Sequence, residues 1–284
     1  MNEILEKSII QPLEPIPTGL QPAGRIANSL QCLLFDVYGT LLISGSGDVG
    51  TAMQTIQDDA QFKQLLLEFN IERPADMVLE NFFSTIARHH EQLKTSGIEY
   101  PEVKIDQIWM QVLGWRHRDM ARSFALAFEL IANPVFPMPG LLKLVKEVRE
   151  RHSMGIISNA QFYTPLLLEK FFNASLINTG FTKDLLIFSY QTEYAKPSEH
   201  LFHLAKSRLE KRGIAPGETL YLGNDMRNDI RPAQKIGFKT ALFAGDKRSL
   251  RLRQADERGR GVQPDLIVTD LPQLIDLLLS LIHI

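Results

Sequence analysis

The sequence predicts an α/β fold in which a doubly wound parallel sheet carries an all-helical insert. Three observations predict it. Residues 31–36 (QCLLFD) form a continuous apolar run closed by an acid, the pattern of a strand buried on both faces. From residue 134 onward, short apolar runs alternate with stretches of helical periodicity, as in a parallel sheet with helices on both faces. From about residue 49 to 133, apolar residues instead recur three and four apart, without strand-like runs.

In chain order, residues 1–30 are rich in proline and glycine (Pro12, Pro15, Pro17, Gly19, Pro22, Gly24) and read as an extended arm. The core is expected over 31–43 and 134–284, with the helical insert over 44–133. That insert opens on the Ser/Gly loop 44–48, which suits either a hinge or a plain linker. Its helices are expected at 61–70, 75–94, 103–113 and 120–131, interrupted by Pro74, Gly97, Pro101 and Gly114. The core then continues as helix 141–151, strand 154–158, helix 165–172, a short strand 185–189 and helix 198–212. Strand 219–223, helix 228–236, strand 240–243, strand 266–268 and helix 274–282 complete it.

Composition narrows the classes. The 284 residues are 44% hydrophobic and 23% charged with a net charge of −2, so no basic excess points to nucleic acid. A single cysteine, Cys32, excludes an internal disulfide or a cysteine-based zinc site and reads as a small buried hydrophobe. No apolar run approaches the roughly 20 residues that span a bilayer, and the first ten residues lack a secretory pattern. A cytoplasmic protein with no nucleic acid or membrane partner is expected.

Ligands of doubly wound sheets bind beyond the carboxyl ends of the strands. The residues closing each apolar run are Asp36, then Ser158 with Asn159, then Asn224 and Asp225 with Asp229; Lys196 precedes a helix in the loop after the third strand. Three ionised carboxylates sharing one pocket with a single lysine repel unless a cation joins them or one takes up a proton. Carboxylate oxygens, water and substrate are what Mg²⁺ accepts. Alternatively, Asp225 and Asp229 cap the helix that follows.

The residues also carry a family resemblance. Asp36-Val37-Tyr38-Gly39-Thr40-Leu41 resembles motif I of the haloacid dehalogenase-like superfamily, and Ile156-Ile157-Ser158-Asn159 resembles motif II. Lys196-Pro197 resembles motif III, and Gly223-Asn224-Asp225-Met226-Arg227-Asn228-Asp229 resembles the acidic motif IV. All four stand in order over residues 31–284, with the helical insert between motifs I and II as in the helical-cap subclass. The resemblance implies a Rossmann-like core and a hydrolase working through an aspartyl intermediate. It implies that Asp36 is the nucleophile, that Thr40 holds its loop, that Ser158 and Asn159 bind the anionic group, and that Lys196 steadies Asp36. In the superfamily's phosphatases Mg²⁺ is held by the nucleophile, by the backbone carbonyl two residues on and by a motif IV acid. Here that selects among Asp36, Tyr38, Asn224, Asp225 and Asp229.

Two departures pull in opposite directions. The phosphatases usually place an acid/base Asp two residues after the nucleophile; Tyr38 stands there, as in the metal-free 2-haloacid dehalogenases. Motif IV leans the other way, because the dehalogenases generally keep only the acid at the place of Asp229, whereas this chain adds Asp225. The expected function is a Mg²⁺-dependent phosphatase for a small phosphorylated metabolite. The alternatives are a 2-haloacid dehalogenase and a non-catalytic binding relative. The basic run 247–253 reads as solvated surface or an anion-gathering segment. Trp109, Trp115 and Phe124 read as core of the insert, and His89-His90 point too far apart to share a metal.

Overall fold

The structure, a computed structural model, describes residues 4–5, 10–26, 29–46, 60–256 and 261–280. The chain divides into two compact units, one of Met1–Pro12 with Ser44–Phe136 and one of Leu13–Ile43 with Pro137–Ile284. The arm expected over 1–30 is therefore split between the two units.

Among the described residues the first unit holds the helices α1 (Ala60–Glu68), α2 (Ala75–Thr95), α3 (Ile105–Leu113) and α4 (Arg118–Ala132). Their apolar faces converge on aromatic rings. Trp109 stacks on Phe82 at 4.1 Å and meets Phe124 edge-on at 4.7 Å, and Trp115 packs against Phe69 and Phe124. Burying such rings is the main driving force for a small helical unit. His89 bonds Gln111 at 2.9 Å. At the unit's edge, Asn133 Oδ1 accepts from the Ser44 and Ser46 hydroxyls at 2.7 and 2.9 Å. Of the Ser/Gly loop expected over 44–48, residues 47 and 48 lie outside the described residues.

Among the described residues the strands are β1 (Ala23–Gly24), β2 (Cys32–Phe35), β3 (Leu42–Ser44), β4 (Val135–Pro137), β5 (Ser153–Ser158), β6 (Phe181–Phe188), β7 (Thr219–Gly223), β8 (Lys239–Phe243) and β9 (Leu266–Val268). All but β3 and β4 lie wholly in the second unit and form one sheet in the order β1-β9-β8-β7-β2-β5-β6. Every pairing in that sheet is parallel except β1 with β9. The doubly wound Rossmann-like fold is thus present. The chain leaves β2 first toward β5 and β6, then returns to β7 on its other side. The carboxyl end of β2 is consequently the switch point where such folds bind ligands. Among the described residues, no helix is long and apolar enough to cross a membrane.

Several elements differ from expectation. The third core strand runs from Phe181 to Phe188 rather than from 185, because its polar Thr182-Lys183-Asp184 stretch lies on the sheet's edge, where side chains meet solvent. The expected helix 228–236 is a π-turn, Met226–Ile230, followed by a short α-helix, Arg231–Ile236. Residues 23–24, read as arm, add an antiparallel edge strand. The last helix begins at Pro272 and is described to Ser280; residues 281–282 of its expected range lie outside the described residues.

Cys32 sits in the central strand with no exposed surface, and burial pushes its thiol up to about 12, partly offset by Arg212. Since the thiolate is the reactive form, native protein at pH 8 should leave a disulfide-exchange reagent unconsumed and react with one equivalent after unfolding. Stoichiometric reaction of the native protein within minutes would contradict this placement.

Candidate active site

Asp36 follows the last residue of β2. Its backbone N–H donates to the Leu222 carbonyl on β7 at 2.9 Å, continuing the ladder, and its side chain is buried. The chain then turns sharply, Thr40 and Leu41 both donating to the Val37 carbonyl. Gly39 makes the turn possible at φ +77°. A Cβ there would lie 2.3 Å from Asn224 Nδ2 and 2.4 Å from Ser249 Cβ, so motif IV and the loop after β8 close against the nucleophile's turn. Thr40 is fully buried within that turn, and the Tyr38 phenol shares a 2.8 Å hydrogen bond with the hydroxyl of Thr164.

Lys196 reaches Asp36 from the loop after β6. Its ammonium lies 2.8 Å from Asp36 Oδ1, 2.5 Å from Asp229 Oδ1 and 3.1 Å from the Tyr221 hydroxyl. Asn159 fixes the lysine's main chain on both sides, accepting from Lys196 N at 2.7 Å and donating to Lys196 O at 3.1 Å. The Asn159 side chain, expected on the substrate, is thus engaged in holding motif III. Ser158 is fully buried beside it at the end of β5.

The acids of motif IV divide their work. Asp229 Oδ2 accepts the backbone N–H groups of Asn224 and Asp225 at 3.0 and 2.9 Å, while Oδ1 faces Lys196 and Tyr221. Gly223 leaves room for this, since a Cβ there would sit 2.4 Å from Asp229 Cγ. Asp225 caps the π-turn through Arg227 N and Asn228 N, and its Oδ2 pairs with Arg253 at 2.7 Å. Asn224 donates to the Ser249 carbonyl at 2.8 Å. Of the two roles weighed for these acids, capping is thus seen at Asp225.

The basic run is anchored. Asp246, buried, accepts from Ile16 N at 3.3 Å and pairs with Arg248, which also donates to the Glu14 carbonyl. Arg251 N–H donates to the Asn224 carbonyl and its own carbonyl accepts from Met226 N, and Arg253 supplies a second cation to the three carboxylates where only Lys196 was expected. No local signal separated Arg253 from its basic neighbours.

Electrostatics follow from this packing. Burial, together with Asp36 and Asp225, pushes Asp229 up to about 6 against the pull of Lys196. Burial favours a neutral Lys196, but Asp229 and Asp36 outweigh it and hold the amine above its usual range. The Tyr221 phenol is pushed well above its usual value by burial and then by Asp229. Among the described residues, no three His, Cys, Asp or Glu side chains are arranged to hold a metal ion.

Residues 30–237 match the model of the haloacid dehalogenase-like hydrolases, and the chain belongs to that family. It is an enzyme of the hydrolase class. Over most of its length it is 25% identical to a phospholysine phosphohistidine inorganic pyrophosphate phosphatase of Xenopus laevis, covering 89% of this chain and 96% of that one. It is 32% identical over 106 residues to a ribulose-1,5-bisphosphate 5-phosphatase of Halopiger xanaduensis, covering 37% of this chain and 43% of that relative, less than half its length. A 2-haloacid dehalogenase from Pseudomonas syringae pv. Tomato shares the fold at 16% identity and a TM-score of 0.55, covering 88% of this chain and 99% of its own.

Gly39→Ala combines a left-handed backbone angle with an occupied Cβ position, and should cost about 2 kcal/mol or more of stability. Urea unfolding measures it; a value within about 0.5 kcal/mol of wild type, the range of neutral surface changes, would show that the motif I turn is not so constrained.

Proposed function

We propose that the protein hydrolyses a small phosphate ester through an aspartyl-phosphate formed on Asp36. The observation that carries this is the Asp36 carboxylate at the switch point with one oxygen bonded to a buried ammonium, Lys196, at 2.8 Å. The phosphatase similarity over nearly the whole chain supports phosphorus rather than carbon as the electrophile. In the first step Asp36 attacks phosphorus, the P–O bond to the leaving group breaks, and the departing oxygen takes a proton. In the second, water attacks the aspartyl-phosphate, releasing phosphate and restoring the carboxylate. Lys196 donates to Asp36 and offsets charge building on the transferred group. In this reading Ser158 and the backbone beside it bind the phosphoryl oxygens, and Thr40 holds the nucleophile's turn.

A divalent cation fits this site in a restricted way. Asp225 and Asp229 have their carboxylates engaged with Arg253, Lys196 and backbone amides. The other oxygen groups nearby are the Asp36 carboxylate, the Tyr38 carbonyl and the Asn224 amide, whose side chain lies against the motif I turn. One carboxylate with neutral oxygens and substrate phosphate is a set that Mg²⁺ accepts. Bound there, the ion would neutralise phosphoryl charge. Weak, millimolar Mg²⁺ dependence abolished by EDTA is the expected behaviour.

Asp36→Asn should remove turnover of p-nitrophenyl phosphate while the protein still unfolds cooperatively, because the exchange is nearly isosteric. Activity near wild type in this variant would discard the nucleophile. The competing 2-haloacid dehalogenase reading is favoured by one observation, the phenol of Tyr38 held by Thr164 where phosphatases carry an acid. A phenol is a poor proton donor and base beside a tuned carboxyl group. Tyr38→Asp should therefore raise phosphatase turnover, by less than the roughly 10²–10⁴-fold that acid–base catalysis supplies. Wild-type turnover of 2-chloropropionate that Tyr38→Asp destroys would establish the dehalogenase instead.

A further inference from the structure

The ammonium of Lys196 has three N–H donors, and three oxygens surround it: Asp36 Oδ1 at 2.8 Å, Asp229 Oδ1 at 2.5 Å and the Tyr221 hydroxyl at 3.1 Å. A phenol accepts from an ammonium only when its own proton is directed elsewhere. Two acceptors face that proton, Asp229 Oδ1 at 2.9 Å and the Ile157 carbonyl at the end of β5 at 3.0 Å. The ring has no exposed surface and packs edge-on against Phe202 at 5.0 Å, so water offers neither group a substitute.

We propose that Tyr221 is a positioning residue that acts through Lys196. By taking the third N–H, the hydroxyl fixes the rotation of the ammonium so that one N–H faces Asp36 while another stays on Asp229. Lacking it, one donor is buried without a partner, and the ammonium turns toward Asp229 and Ile157 at the expense of Asp36. Burial of the phenol, which favours its neutral form, is consistent with this role. The assignment rests on the reading that Lys196 serves Asp36, and it holds whether Asp36 attacks phosphorus or carbon.

The test is a double-mutant cycle of Tyr221→Phe and Lys196→Met, with Lys196→Ala as the second background. Tyr221→Phe keeps the ring and removes only the hydroxyl. In wild type it should lower kcat about tenfold, the scale of a lost hydrogen bond to a charged group, with KM within about twofold. In either lysine variant it should change the residual kcat less than about twofold, because the partner is gone. Melting temperatures form a parallel cycle needing no substrate: Tyr221→Phe should lower the midpoint further when Lys196 is present than when it is absent. Equal effects of Tyr221→Phe in both backgrounds, or an unchanged kcat in the single variant, would overturn the assignment. Turnover of 2-chloropropionate but not p-nitrophenyl phosphate would sink the phosphatase reading alone, and the cycle would then run on the haloacid.

Discussion

A single buried ammonium organises this site. Taking Lys196 out of water costs several kcal/mol, and only close pairing with carboxylates and further hydrogen bonds can offset that. Asp36 and Asp229 supply the charge, Tyr221 the remaining acceptor. The lysine comes from a loop, so its main chain must also be fixed, and Asn159 does this by bonding both its N–H and its carbonyl. Asp229 in turn can reach Lys196 only because Gly223 has no side chain. Strands β2, β5 and β7 each contribute one member of the arrangement at their carboxyl ends, so the order of the sheet and the position of one charge are the same constraint seen at two scales.

That dependence explains what could be read from the linear sequence. Asp36 was visible because an apolar run ending in an acid marks a buried strand with a polar tip, and alternation of strand and helix placed that tip at a switch point. Lys196 and Asp229 were visible through motif order. Asn159 was placed on the substrate because its partner lies 37 residues away, and nothing local indicates that an amide at a strand end will bracket another loop's backbone. Arg253 was hidden for a related reason: its carboxylate is 28 residues distant, and one arginine among several basic neighbours carries no distinguishing pattern. Strand β1 escaped notice because two residues give no periodicity. Tyr221 read simply as an apolar member of β7; its hydroxyl acquires meaning only once β5 and β7 both flank β2.

The acids of motif IV show why counting charges in a sequence overstates the need for a metal. Three carboxylates facing one lysine demand another cation, and that inference is sound as far as it goes. The fold meets part of the demand internally, with Arg253 on Asp225 and backbone amides on Asp229. Those carboxylates are then structural: one holds the turn after β7 and the other anchors the loop that closes over Gly39. Any cation at the site must rely on Asp36 and neutral oxygens, and with fewer charged ligands it binds less tightly and dehydrates less readily.

The same reasoning bears on rate. A site with one anionic metal donor, and a phenol where a carboxyl group would shuttle protons, keeps the machinery for forming an aspartyl ester while weakening the machinery for hydrolysing it. Under the proposed mechanism, attack by Asp36 needs a nearby positive charge, which Lys196 supplies at 2.8 Å. Hydrolysis needs a base near the attacking water, and a phenol tied to Thr164 supplies little basicity. On that reading the chemistry divides unevenly between its two halves, with the covalent intermediate favoured over its breakdown. Such an enzyme would turn over slowly even on substrates with good leaving groups and would discriminate mainly by what it allows to reach Asp36.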